Sequence, residues 1–158
     1  MNNVTCCFTG HRNINKYNLE KLKKGLENAI EELISDGVVN FEAGGALGFD
    51  TIAALTVLKI KEKFSQIKLI LVLPCRNQAD NWNRSDVETY EYIKSQADEC
   101  IYTSEDYNKG CMLKRNRYMV DHAEYVISAW DGRKSGGTYA TVNYARKLSR
   151  KIINLNLS

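Results

Sequence analysis

Ser135-Gly136-Gly137-Thr138, with Thr141, Val142 and Ala145 following at helical spacing, is a glycine turn opening a helix just after the apolar run Tyr125–Ala129. Glycines there let backbone N–H groups approach a ligand, and a helix's first turn offers unpaired donors carrying partial positive charge. That chemistry suits a phosphate. Two further apolar runs end in comparable turns: Val4–Phe8 in Thr9-Gly10-His11-Arg12, and Val38–Ala43 in Gly44-Gly45-Ala46-Leu47-Gly48-Phe49-Asp50. A fourth run, Lys68–Leu73, ends in Pro74-Cys75-Arg76. Guanidinium forks hold phosphate oxygens bidentately, and Arg12 and Arg115 are the arginines tied to specific turn patterns. Asn116 shares a helix face with Met112, Met119 and Val120, where an amide must satisfy backbone or ligand. Asp50 is placed to cap its helix or to accept from a ribose hydroxyl, and Thr138 to cap or to touch a phosphate. Trp82, in a polar loop, is the candidate for stacking a nucleobase, an interaction of about 1–3 kcal/mol; packing explains Trp130. His11 reads as a loop histidine held by hydrogen bonds and His122 as structural.

These residues need a scaffold that brings strand ends together. Hydrophobic periodicity predicts strands over 3–9, 38–43, 67–73, 99–103, 125–130 and 151–156, and helices over 17–35, 46–63, 84–97, 111–123 and 137–148. Strict alternation of strand and helix implies an α/β fold: a Rossmann-like, doubly wound, mainly parallel six-stranded sheet with helices on both faces. In such a sheet all strand C-terminal ends share one edge, and ligands bind in the crevice there. The first helix carries Leu19, Leu22, Leu26, Ile30 and Leu33 on one stripe. The second is apolar nearly all round, which implies burial against the sheet and against a partner subunit, hence a homo-oligomer.

The 158 residues suit one domain spanning 1–158, with 44% hydrophobic and 26% charged residues. A net charge of +3 is too small to argue for nucleic acid. No apolar run reaches the ~20 residues of a membrane span, and the first residues lack the pattern of a signal peptide, so a cytoplasmic protein is expected. Five cysteines, odd in number and scattered, read as reduced core fillers. No His, Cys and carboxylate cluster has ligand spacing, and neither a metal nor a cofactor is expected.

Together these motifs resemble the SLOG superfamily, the Rossmann-like group joining the bacterial DNA-processing protein with the LOG phosphoribohydrolases. Phe8-Thr-Gly-His-Arg12 is similar to its first-strand Gly-x-Arg, and Gly44-Gly-Ala-Leu-Gly-Phe-Asp50 to its Gly-x-Ala-x-Gly-Ile-Asp. Arg115-Asn116 and Ser135-Gly-Gly-Thr138 match its later motifs. Pro74, Gln78 and Trp82, then Asp131-Gly132 leading to Gly136, resemble the small single-domain YpsA-like branch. The resemblance implies a nucleotide-derived ligand, such as a nucleotide sugar or an ADP-ribose-like molecule, sensed or sequestered at the strand edge. Gly44, Gly45, Gly136, Gly137 and Thr138 would hold phosphates and Asp50 would meet a ribose. LOG enzymes carry a catalytic glutamate where Asn143 falls here, and an amide cannot replace a carboxylate as base or as oxocarbenium partner. An N-glycosidic hydrolase would instead need Asp50, Asp121 or Asp131. A single-strand nucleic-acid binder is a further alternative, identified by steep salt dependence.

Overall fold

The computed structural model describes residues 3–158. Six strands, β1 (Val4–Gly10), β2 (Val38–Ala43), β3 (Lys68–Leu73), β4 (Glu99–Tyr102), β5 (Tyr125–Ala129) and β6 (Lys151–Asn154), alternate with five helices. The helices are α1 (Leu19–Ser35), α2 (Phe49–Lys61), α3 (Arg84–Gln96), α4 (Cys111–Asp121) and α5 (Gly136–Lys147). The strands form one sheet in the order β4-β3-β2-β1-β5-β6, and every pairing is parallel. This is a Rossmann-like α/β fold.

That order explains the layering. From β1 to β4 the chain steps in one direction, so a constant crossover hand puts α1, α2 and α3 on one face; it then reverses to β5 and β6, which puts α4 and α5 on the other. The two cores agree. Leu22, Leu26 and Ile30 of α1, Ala53 and Val57 of α2, and Tyr90 and Ile93 of α3 pack with Phe8, Phe41 and Leu71. Met119 and Val120 of α4 and Ala145 of α5 pack with Cys7, Val72 and Val126. Neighbouring Cys6 and Cys7 fall in opposite cores, as alternation along a strand requires. All five cysteines are free thiols, four of them buried and Cys100 exposed.

The observed elements are shorter than periodicity predicts at several ends. The helix expected from 46 begins at Phe49, because Gly48 adopts φ +80° and an irregular loop precedes it. Apolar content ran across that loop, and period alone does not register a left-handed residue. Leu55 of α2 is 38% exposed, so its own chain does not bury that helix all round.

Candidate functional site

The strand order reverses between β1 and β5, so the chain leaves their C-terminal ends toward opposite faces of the sheet, and a cleft of ≈ 270 Å³ opens there. Of the residues expected at the site, Thr9, Gly10, His11, Arg12, Ala46, Asp50, Arg115, Asn116, Gly136, Gly137 and Thr138 line this one cleft. They come from β1, the start of α2, the face of α4 and the start of α5. Phe8, Met112, Arg133 and Ser135 line it as well. The adjacency of Ser135 to its glycines and of Met112 to Arg115 along α4 was the available signal for two of these.

The α5 end of the cleft is built for donors. Ser135 occupies the N-cap position with extended backbone but makes no side-chain cap; Thr138 is the third residue of α5 rather than its cap, and it is buried and lines the cleft. Gly136 turns the chain at φ +89°, a conformation that L side chains rarely adopt. Open space surrounds both Gly136 and Gly137. The first-turn amides of α5 are therefore approachable, and the helix dipole adds positive potential.

Two arginines differ sharply. Arg12 is exposed at the cleft and has no ion-pair partner among the described residues. Arg115 is 4% exposed and spends its fork on the protein itself. Its Nη1 donates to the carbonyls of Gly44 and, at 3.4 Å, of Val72, while Nε donates to Asn116 Oδ1 at 2.7 Å. Arg115 is thus a fixed positive charge under the cleft that also rivets the β2 and β3 ends, rather than a free clamp. Asn116 satisfies that arginine.

Asp50, buried but lining the cleft, accepts from the Ala46 amide at 3.2 Å. Burial raises its pKa above the carboxylate norm, against the lowering influence of Arg115 and Arg12. Burial likewise weakens the hold of Arg115 on its proton. Gly44 exists to let this pair approach: a Cβ there would stand 2.6 Å from Arg115 Nη1 and 2.9 Å from Asp50 Oδ2. Gly44 and Gly45 therefore shape the floor and do not line the cleft, contrary to their expected part as phosphate donors.

At the other rim, Asp131 organises two loops. It accepts from Arg133 Nη2 at 2.6 Å, from the Arg133 amide at 3.0 Å and from Tyr17 Oη at 3.1 Å. The bonded Arg133 holds its carboxyl far below the usual range. His11 Nε2 accepts from the Asp131 amide at 3.2 Å and stands 3.3 Å from Asp131 Oδ1, and burial lowers the His11 pKa against the raising influence of Asp131. Asp131 is a scaffold for the cleft, not part of its lining.

Pro74 and Trp82 also fall outside. Pro74 is buried after β3, two strands from the reversal, and Trp82 packs edge-on against Tyr90 with ring centroids 5.2 Å apart. Their loop shares the C-terminal edge of the sheet but not the cleft, a distinction only strand order makes. Trp130 packs as expected, stacking on Tyr139 at 6.0 Å and donating through Nε1 to the Arg133 carbonyl at 2.9 Å. His122 stacks on Tyr118 at 4.1 Å, in keeping with a structural part.

The loop after β1 is pressed against the start of α2. The Phe49 amide donates to the His11 carbonyl at 3.1 Å, and a Cβ on Gly48 would overlap the carbonyl oxygen of Arg12. Gly48→Ala should cost about 3 kcal/mol, combining left-handed strain with overpacking. Chemical denaturation will read that loss; an unchanged midpoint would contradict the contact.

The strand order and helix layering define a Rossmann-like α/β protein with a cleft at the strand edge, and comparison with known proteins narrows the class. The model of the YspA SLOG family matches residues 6–156, and the chain belongs to that family. It is similar to the uncharacterized SPbeta prophage-derived protein YoqJ of Bacillus subtilis, with 36% identity over 140 residues, 80% of this chain and 81% of that one. It is 28% identical over 128 residues to a UPF0398 protein of Bacillus cereus, covering 80% of this chain and 70% of that one. Among solved structures, DNA processing protein A of Streptococcus pneumoniae superposes with a TM-score of 0.66 at 22% identity. That match takes in 95% of this chain but 49% of the other, so the present chain spans about half of it. Among the described residues, no helix is long and apolar enough to cross a membrane, and no group of side chains is arranged to hold a metal ion.

Proposed function

We propose that this protein binds a phosphorylated, nucleotide-derived small molecule, of the nucleotide-sugar or ADP-ribose kind, and acts as a sensor or sequestering module. The observation that carries this reading is the meeting, in one cleft, of the uncapped first turn of α5 with Arg12 above and Arg115 below. Backbone donors and the dipole would take a phosphate, and Arg12 would neutralise its charge. Asp50 Oδ2 already accepts from Ala46 and stands ready at the cleft wall for a sugar hydroxyl.

Isothermal titration against a nucleotide panel that includes ADP-ribose tests the reading. Binding in the tens-of-micromolar range or tighter is expected, and Arg12→Ala should weaken it about 10- to 100-fold through loss of a charge-assisted contact. Silence across the panel removes the proposal. A slope of affinity on salt as steep as a multi-phosphate contact produces, with single-stranded DNA as ligand, would favour a nucleic-acid binder instead.

A second reading, N-glycosidic hydrolysis, draws on one observation. Of Asp50, Asp121 and Asp131, Asp50 alone lines the cleft. Asp121 lies elsewhere, bound by Tyr144 Oη at 2.6 Å, and Asp131 is committed to Arg133. The raised pKa of Asp50 suits proton donation to a leaving base. Release of free base from nucleoside monophosphates, lost in Asp50→Asn, would support this reading; its absence leaves the binding module.

A further inference from the structure

The two faces of the sheet are unequally covered, with α1, α2 and α3 on one and only α4 and α5 on the other. On the second face α4 packs on β1 and β3, and α5 on β1, β5 and β6, so the edge strand β4 has no helix directly above it. An open groove of ≈ 590 Å³ runs there between α4 and β4. Ile101 of β4 and Leu113 and Tyr118 of α4 give it apolar walls, and Leu113 is 39% exposed. Lys114, Arg117 and Asp121 of α4, all exposed, line it as well. Neither Lys114 nor Arg117 has an ion-pair partner among the described residues. Asp121 accepts from Tyr144 Oη through Oδ1, which leaves its other oxygen and its charge available. Met112, Arg115 and Asn116, on the other side of the same helix, line the cleft described above.

We propose that a second copy of this chain fills the groove, its α4 lying antiparallel to α4 of the first in a two-fold dimer. Charge order selects both the occupant and its direction. Helical spacing sets Lys114 and Asp121 two turns apart on one side of α4, with Arg117 and Tyr118 between them. A two-fold axis passing between Arg117 and Tyr118 puts Lys114 of each copy opposite Asp121 of the partner subunit, and symmetry makes that contact twice. A parallel pairing would set lysine against lysine and aspartate against aspartate. A partner of uniform charge would meet a like charge at one end of the row. Leu113 and Ile101 add the apolar contact that exposed ion pairs alone do not supply. The other exposed apolar groove, between α2 and α3 with Leu55 and Tyr92, has no such direction, because Lys59 and Lys61 are already paired with Glu27 and Asp98. The contact between copies therefore falls on α4 and not on the more apolar α2.

Sedimentation equilibrium of the full chain from about 1 to about 100 µM tests the proposal, and a dimer with a micromolar Kd is expected. Lys114→Glu sets glutamate against Asp121 at both symmetric contacts, and Asp121→Lys sets lysine against Lys114. Each variant alone should dimerise at least about tenfold more weakly than the wild type. An equimolar mixture of the two variants restores both opposite-charge contacts, so it should form a mixed dimer with an affinity close to that of the wild type. Because each variant serves as the other's rescue, a loss caused by misfolding would not be repaired by mixing and would count against the pairing. A wild-type chain that stays monomeric throughout the range would overturn the proposal and leave the groove to a different occupant. Unchanged dimerisation of Lys114→Glu would overturn it too, and would point to another face such as the groove between α2 and α3.

Discussion

Glu42→Gln will make the protein markedly more stable at alkaline pH while changing little near pH 4. Glu42 stands on β2 at 6% exposure, and its Oε1 has no partner among the described residues. Strand register sets it in a row with Ile70 and Glu99 on one side and Cys7 on the other. Burial, and then the charges of Glu99 and Glu124, push its pKa from 4.5 to about 8. The folded state therefore binds this proton more tightly than the unfolded chain does. Stability from this group is intact below about pH 4.5, declines as pH rises, and is fully lost above about pH 8. A shift of that size corresponds to a few kcal/mol, of the order of 3–5. The glutamine side chain does not titrate, so the variant's stability should stay level across this window. Urea midpoints collected from pH 4 to 9 will show the two proteins diverging with rising pH; parallel profiles would refute a protonated Glu42.

Arg115→Met will cost about 3–5 kcal/mol, because it strands groups that cannot return to water. The carbonyls of Gly44 and Val72 lose a buried donor, and Asn116 Oδ1 loses another. Asp50 loses the charge that most lowers its pKa and will hold its proton to still higher pH. The variant should therefore lose more stability at pH 8 than at pH 5, since an ionised Asp50 is the costlier species once its countercharge has gone. Thermal melts at both pH values check this. An equal loss at the two would mean that Arg115 acts only through its hydrogen bonds, and no loss would contradict its placement altogether.

Alternating period-2 and period-3.6 runs made all six strands and five helices legible, as did the parallel sheet that such alternation enforces. Glycine-bearing strand ends identified most of the cleft, since few residue types tolerate the turns that open α2 and α5. Legibility faded where function depends on which strands are neighbours. Trp82 and Pro74 follow a strand end of the right kind, yet β3 lies two strands from the reversal. The parts played by Arg115 and Asp131 were hidden for a similar reason. A guanidinium beside a glycine turn reads as a phosphate clamp until its donors are seen to be spent on Gly44 and Val72. A carboxylate reads as free until Arg133 and Tyr17 are seen to hold it.

Local pattern alone thus determined the α/β architecture and the types of residue at the C-terminal edge of its sheet, because backbone geometry and hydrophobic period act over a few residues. Tertiary structure decided which of those residues share a cleft, which arginine stays available and which carboxylates are shut away from water. Those outcomes depend on strand order and burial, which set distance and desolvation between groups far apart in the chain.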